Sequence, residues 1–296
     1  MRDQDRPSSA ALITALCLIW ALTFIAQRTA LRDAGPLWIA AGRTIIGALA
    51  LSPLLRQLRT GRGWRIAAGL ALTNIVGFVG LQLIGLKAIG AGPSAAIIYT
   101  QPVLVALGGH LWLGERLTGA RLAGVLVGLA GVTVVSAHEI SAVSPGAVAA
   151  LLGSAICWAA GTLLTRGTPE QPVLGVVAAQ HLLGAPVLLA AALVAEPAPH
   201  VGGRLSLMVL YAGVFGAAGG QLLFTTLLRR GEAAVVAAWM FSVPIAASVL
   251  GVVLLGEPLR LPLAIGLLLV SVGVRLATRR PAVRGAAPET TAARRG

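Results

Sequence analysis

Ten apolar stretches, each close to the length that crosses a lipid bilayer, occupy most of this chain. They run Ala10–Ala26, Leu37–Leu55, Ile66–Leu86, Ser94–Leu113, Leu122–Ala137, Ala147–Thr165, Val173–Val194, Leu205–Leu228, Ala233–Leu255 and Leu261–Ala277, with short linkers rich in Gly, Pro and Arg between them. A helix of about 20 residues spans the hydrocarbon of a membrane. Within lipid every backbone N–H and C=O needs a partner inside the protein, and a helix supplies those partners by itself. The period-two alternation of a membrane barrel is not sustained in any stretch. The chain therefore reads as an all-α integral membrane protein with ten transmembrane helices. Hydrophobic residues make up 57% and charged residues 11% of the chain, about half the charge of a soluble domain. Lipid must cover much of the surface. The first stretch outruns a signal peptide and nine more follow it, so it is read as a retained helix.

The net charge is +13, which could suggest nucleic acid as a partner. The basic residues, however, stand singly or in short clusters between apolar runs, as membrane-flanking charges do, and not on one face. No nucleic-acid partner is expected; the expected partners are lipid and a small-molecule substrate, with a homodimer left open. With the N-terminus in the cytoplasm, 17 of the 23 basic residues fall on the inner side, 5 in outer loops, and Arg43 inside a span. The cluster Arg56, Arg59, Arg62 and Arg65 is the clearest inner segment. The positive-inside rule then places both termini in the cytoplasm, in a multi-pass plasma (inner) membrane protein.

A repeat runs at an offset of 142 residues. Pro102 maps on Pro244, Gly109 on Gly251, Leu113-Gly114-Glu115 on Leu255-Gly256-Glu257, Gly124 on Gly266 and Gly131 on Gly273, among ten matches without a gap. A second anchor at offset 138 pairs Trp20 with Trp158 and Arg28 with Arg166. Five spans per unit is an odd number, so the second unit enters the membrane from the opposite side. The expected organisation is a first five-helix repeat over 1–137, an inverted second repeat over 138–278, and a basic, disordered cytoplasmic tail over 279–296. Inverted pairs provide two states of similar energy, one open to each side, as alternating access requires.

Tyr99-Thr-Gln-Pro102 followed by Leu113-Gly-Glu-Arg-Leu117, recurring as Phe241-Ser-Val-Pro244 and Leu255-Gly-Glu-Pro-Leu259, resembles the paired repeats of EamA-type transporters of the drug/metabolite transporter superfamily. Trp20 and Arg43 fit the same pattern, and the resemblance covers nearly the whole chain. It implies a ten-helix fold around a central cavity, with the fifth and tenth helices at the periphery. It also implies export of small metabolites such as amino acids or amphipathic compounds. One departure is that Arg43 has no arginine at its repeat-related position, where His181 stands.

The candidate substrate-binding residues are Arg43, Gln82, Tyr99, His181, Gln221 and Phe241, with helix breaks at Pro102 and Pro244. Proline inside a span frees the carbonyl four residues earlier, and an aromatic residue stands three positions before each of these two. Arg43 near the bilayer centre costs about 2.5–3.5 kcal/mol on the lenient insertion scale. It either snorkels and binds backbone carbonyls, or it faces a cavity and holds an anionic group. His181 and His110 are packed neutral residues or proton carriers. The span glutamines, with Asn74, are interhelical hydrogen-bonding groups or cavity groups. Trp20, Trp158 and Trp239 are core or a flat aromatic wall, and the Gly124-xxx-Gly128 step allows close helix contact.

None of the ten acidic residues lies in the middle third of a span, so a carboxylate proton relay across the membrane is not expected. No nucleophile–base pair, metal-ligand cluster or Walker A motif is present, and neither catalysis, a cofactor nor a metal is anticipated. The competing readings are a channel or scaffold and, more remotely, a membrane-embedded enzyme. A cysteine label in the loop Arg56–Arg65 should react only from the cytoplasm, and one at Glu139 only from outside; the opposite pattern would overturn both the orientation and the inversion argument.

Overall fold

A computed structural model of the chain describes residues 9–59, 61–114, 119–142, 144–168, 171–229, 240 and 242–277. The proposed tail over 279–296, the candidate Phe241, and Glu115 and Trp239 lie outside the described residues. Every regular element among those residues is helical. In chain order they are α1 (Ser9–Ala30), α2 (Pro36–Leu51, extended by a 3₁₀ turn over Ser52–Gln57), α3 (Gly61–Leu70), α4 (Phe78–Ala88), α5 (Ala91–Ile98), α6 (Gln101–Leu113), α7 (Gly119–Ala142), α8 (Pro145–Arg166), α9 (Val173–Ala195), α10 (Gly203–Tyr211), α11 (Gly220–Arg229), α12 (Ser242–Leu255) and α13 (Leu261–Ala277). Two wide π-helical turns, Ala71–Gly77 and Ala212–Gly219, join α3 to α4 and α10 to α11 into continuous rods. Among the described residues seven helical segments are long and apolar enough to cross a membrane, and three shorter apolar helices accompany them.

The outer surface is what lipid demands. Leu49, Leu72, Val194, Val253 and Leu268 are each more than half exposed, a distribution that water would penalise and acyl chains would not. With lipid as solvent, burial of apolar area no longer draws helices together, so contact depends on close backbone approach. The most extensive pairing, α7 on α13, shows this directly. A Cβ on Gly131 would strike the amide nitrogen of Val270 at 2.7 Å and the carbonyl oxygen of Gly266 at 2.9 Å, and one on Gly273 would strike the backbone of Gly128 and Gly124. Those two contact sets are the same set shifted by 142 residues. Residues i and j+142 touch, and so do j and i+142.

The reciprocity recurs elsewhere. Gly47 is pressed against Ala217, and Gly184 against Ile75. Gly216 is pressed against Thr23, and Gly161 against Asn74. Helix α2 packs on α9, the rod containing α4 packs on α8, and the rod containing α10 and α11 packs on α1. Helix α5 crosses α12 where Gly92 meets Ser248. The two π turns also stand at matching places in the third span of each half, so the correspondence extends to irregular backbone.

The fourth span is broken between α5 and α6 at Tyr99–Thr100, ahead of Pro102 in the first turn of α6. The Thr100 hydroxyl donates to the carbonyl of Ile97 at 2.7 Å, satisfying one of the groups the break releases. Helix α12 begins at Ser242, two residues before Pro244. Gly114 and Gly256, 142 residues apart, have φ of 67° and 69°, the left-handed helix-ending conformation that glycine adopts without strain. Gly131→Ala and Gly273→Ala should each lower the apparent Tm by several degrees, because the added methyl meets backbone and not a mobile side chain; overpacking of this kind costs about 1–3 kcal/mol. Gly61→Ala, where a Cβ meets nothing within 4 Å, should leave the Tm unchanged.

Candidate functional site

The π turns and the α5–α6 break contribute residues to the lining of a central chamber. A wider turn shifts the register of the residues beyond it, and such turns are frequent at functional sites. Asn74 enters the chamber from the first π turn, and Gly216 and Ala217 from the second. Arg43, Gln82, Tyr99, His181 and Gln221 all line it. Phe241 lies outside the described residues. His110 is exposed on α6 and is not among the lining residues. Residues that the sequence did not single out also contribute, namely Phe24, Phe78 and Phe224.

One wall is aromatic and centres on Trp158. Its ring meets Trp20 edge-on at 6.3 Å, Tyr99 edge-on at 5.5 Å and Phe78 tilted at 5.1 Å between centroids. Phe224 extends the wall from Trp20 at 5.5 Å. Edge-to-face and offset contacts of this kind hold the rings in place.

The other wall is polar and incompletely paired. Arg43 is 8% exposed and its Nε has no hydrogen-bond partner; Gln82 is 3% exposed and its Oε1 has none. Asn74 donates to Gln180 Oε1 at 3.4 Å while its own Oδ1 is unpartnered. Buried polar atoms in native proteins nearly always have partners, so three orphans facing one chamber mark it as a place where a solute or water completes the bonding. The Nδ1 of His181 lies 2.8 Å from the carbonyl of Val177. A carbonyl can only accept, so Nδ1 carries the proton and Nε2 is left as an acceptor in the neutral ring. Among the described residues no group of three His, Cys, Asp or Glu side chains is placed to hold a metal ion.

The chamber continues into a second one, sharing Asn74, Trp158, Gln180, Gln221 and Phe224. That space reaches Thr165 and Arg166 in the last turn of α8 and Thr168 and Gln171 in the loop after it, at the end of the molecule that carries Arg62 and Arg65. The opposite end carries a set of side-chain ties between distant segments. Glu196 accepts from the amides of Leu37 at 3.0 Å and Trp38 at 3.2 Å, capping the start of α2. Glu257 accepts from the amide of Ala91 at 2.8 Å, capping α5, and lies 3.6 Å from Arg28 Nε. Arg28 in turn donates to the carbonyl of Leu86 at 2.8 Å. A carboxylate at a helix start meets free amides and the positive end of the dipole. Gly35 and Gly90 leave room for the two carboxylates; a Cβ on either would run into them. Asp33 is bridged by Arg204, whose hydrogen bond holds its carboxyl below the usual carboxylate range.

The Leu255-Gly256-Glu257 sequence thus has a structural meaning. The left-handed glycine ends α12 and turns the next residue across to another helix. The EamA-like transporter family matches residues 8–137 and 145–279, two copies that together cover most of the chain. The chain belongs to the EamA-like transporter family. It is 34% identical to the uncharacterized transporter YvbV of Bacillus subtilis over 97% of each chain, and 24% identical to YoaV of the same organism over 90% of this chain and 95% of that one. A solved crystal structure shares the fold with a TM-score of 0.67, at 21% identity over 92% of this chain and 97% of that one. This EamA-like chain is therefore a membrane protein with the architecture and relatives of a transporter.

Removing either capping carboxylate should loosen the closed end. In a background without Cys17 and Cys157, a cysteine at Thr23, which lines the chamber, should be labelled from the Arg28 end several-fold faster in Glu196→Ala and Glu257→Ala. Unchanged labelling in both would show that the carboxylates do not seal that end.

Proposed function

We propose that this EamA-like protein is a secondary transporter that moves small metabolites, such as amino acids or amphipathic compounds, by alternating access. Ten membrane-spanning helices form two inverted five-helix repeats, over 1–137 and 138–278, in the plasma membrane with both termini cytoplasmic. The reading is carried by one observation: a polar, partly unpaired chamber lies among reciprocal contacts that relate the first half of the chain to the second, Gly47–Ala217 with Ile75–Gly184 and Thr23–Gly216 with Asn74–Gly161. Reciprocity of this kind supports a two-fold axis in the membrane plane. Each closure on one side then has a counterpart on the other, and two states of similar energy follow.

With the arginine-rich end in the cytoplasm, the conformation described reaches the inner side and is closed outside by Glu196 and Glu257. Solute would enter from the cytoplasm, and rocking of the halves would release those caps and open the chamber outward. The outward direction rests on the family resemblance, and the chamber is lined by a single chain, so a homodimer is not needed to form it.

Purified protein in liposomes loaded with unlabelled substrate should accumulate labelled substrate transiently against its gradient, and the rate should saturate. A channel conducts without counterflow, so accumulation that never exceeds equilibrium would contradict the carrier reading.

A further inference from the structure

The chamber pairs an aromatic wall with a buried cation, and that combination selects for ligand chemistry. We infer that the solute is a planar aromatic monoanion, its ring held against Trp158 and its negative group against the guanidinium of Arg43; this deepens the transporter reading and rests on it.

The charge argument starts from Arg43. It sits two turns into α2 with 8% of its surface exposed, and no carboxylate pairs with it among the described residues. An uncompensated guanidinium at membrane depth is strongly disfavoured, and it is most simply neutralised by an anion that enters from outside the protein. No acidic side chain lines either chamber among the described residues, so the cation faces no internal competitor. His181, its repeat-related neighbour, donates through Nδ1 to a backbone carbonyl and offers an acceptor through Nε2. Arg43 is the sole guanidinium lining the central chamber among the described residues, which sets the number of anionic groups at one. A cation would meet repulsion from Arg43 that cation–π contacts of about 0.5–2 kcal/mol would have to overcome.

The shape argument starts from Trp158. Trp20 and Tyr99 meet it at 82° and 85° and Phe78 lies at 31° to it, so the chamber wall offers several fixed aromatic surfaces on which a flat ring can pack. Gln82 and Asn74 do not discriminate by charge. Each amide presents an acceptor or a donor depending on its orientation, so these residues can serve whichever polar substituent the ring carries.

Binding to detergent-purified protein, measured by calorimetry without any gradient, tests the assignment with four probes: 1-naphthoate, the neutral 1-naphthalenemethanol, the cationic 1-naphthylmethylammonium and the non-aromatic cyclohexanecarboxylate. Naphthoate should bind at least tenfold tighter than each of the others. Arg43→Gln should abolish the preference for naphthoate over the alcohol and leave the alcohol's affinity within about twofold, a change that a purely structural role for Arg43 would not produce. Should that variant fail to fold, Trp158→Ala provides the second arm, in which naphthoate should fall to the level of cyclohexanecarboxylate. An equal or tighter affinity for the alcohol or the ammonium in the wild type, or a preference that survives Arg43→Gln, would overturn the inference. Because no transport is measured, those results would leave the counterflow reading standing; tight naphthoate binding without counterflow would do the reverse.

Discussion

The structure depends on helices approaching closely enough for backbone to touch backbone. Lipid tails are as apolar as leucine, so association inside the membrane rests on van der Waals contact and polar bonds. Gly131 and Gly273 supply that contact between α7 and α13, while around the chamber Gly47, Gly184, Gly161 and Gly216 leave room for side chains of the facing helices. Since each contact occurs with its offset partner, the chain uses one solution twice. The interior can then remain partly polar and partly empty, because the helices are held by their crossings and not by a filled centre.

Polar bonding is distributed unevenly along the membrane normal. At one end, carboxylates reach across from distant loops to cap α2 and α5, where the helices present amides that their own side chains do not cap. In the centre, Arg43, Gln82 and Asn74 hold unused bonding capacity. Strong, satisfied bonds at a closed end and unsatisfied groups in the middle are what a carrier needs, since the first can be exchanged for equivalent bonds and the second can be completed by a solute.

Much of this was legible in the sequence because lipid simplifies the code. The all-helical class and the polar residues at depth follow from hydropathy, and Arg43, Gln82, Tyr99, His181 and Gln221 line one chamber; of the ten expected spans, seven are long and apolar enough to cross a membrane among the described residues. Edges were less legible. The third span begins at Gly61 and not at Ile66, because Trp64 and Arg65 continue the helix through the polar interface, where hydropathy is low. Helix α7 likewise extends to Ala142, past the expected end at Ala137. The π turns were invisible, since no residue type demands them. Glu196 and Glu257 stand just past the ends of apolar stretches, and nothing in the sequence shows their role, because capping a distant helix is a tertiary relation. Phe78 and Phe224 looked like ordinary apolar residues; only the offset that carries Trp20 to Trp158 hinted at an aromatic cluster between the halves.

The central claim is that the two halves rock about the chamber, closing one end as the other opens. Spin labels at Ala88 and Ala198 report the end closed by Glu196 and Glu257, and labels at Gly61 and Gly167 report the arginine-rich end. Distances from double electron–electron resonance on both pairs, with and without saturating transported solute, test the claim most directly. The account predicts opposite changes, with the first distance lengthening in the population where the second shortens. Two distances that stay fixed, or that lengthen together, would contradict it.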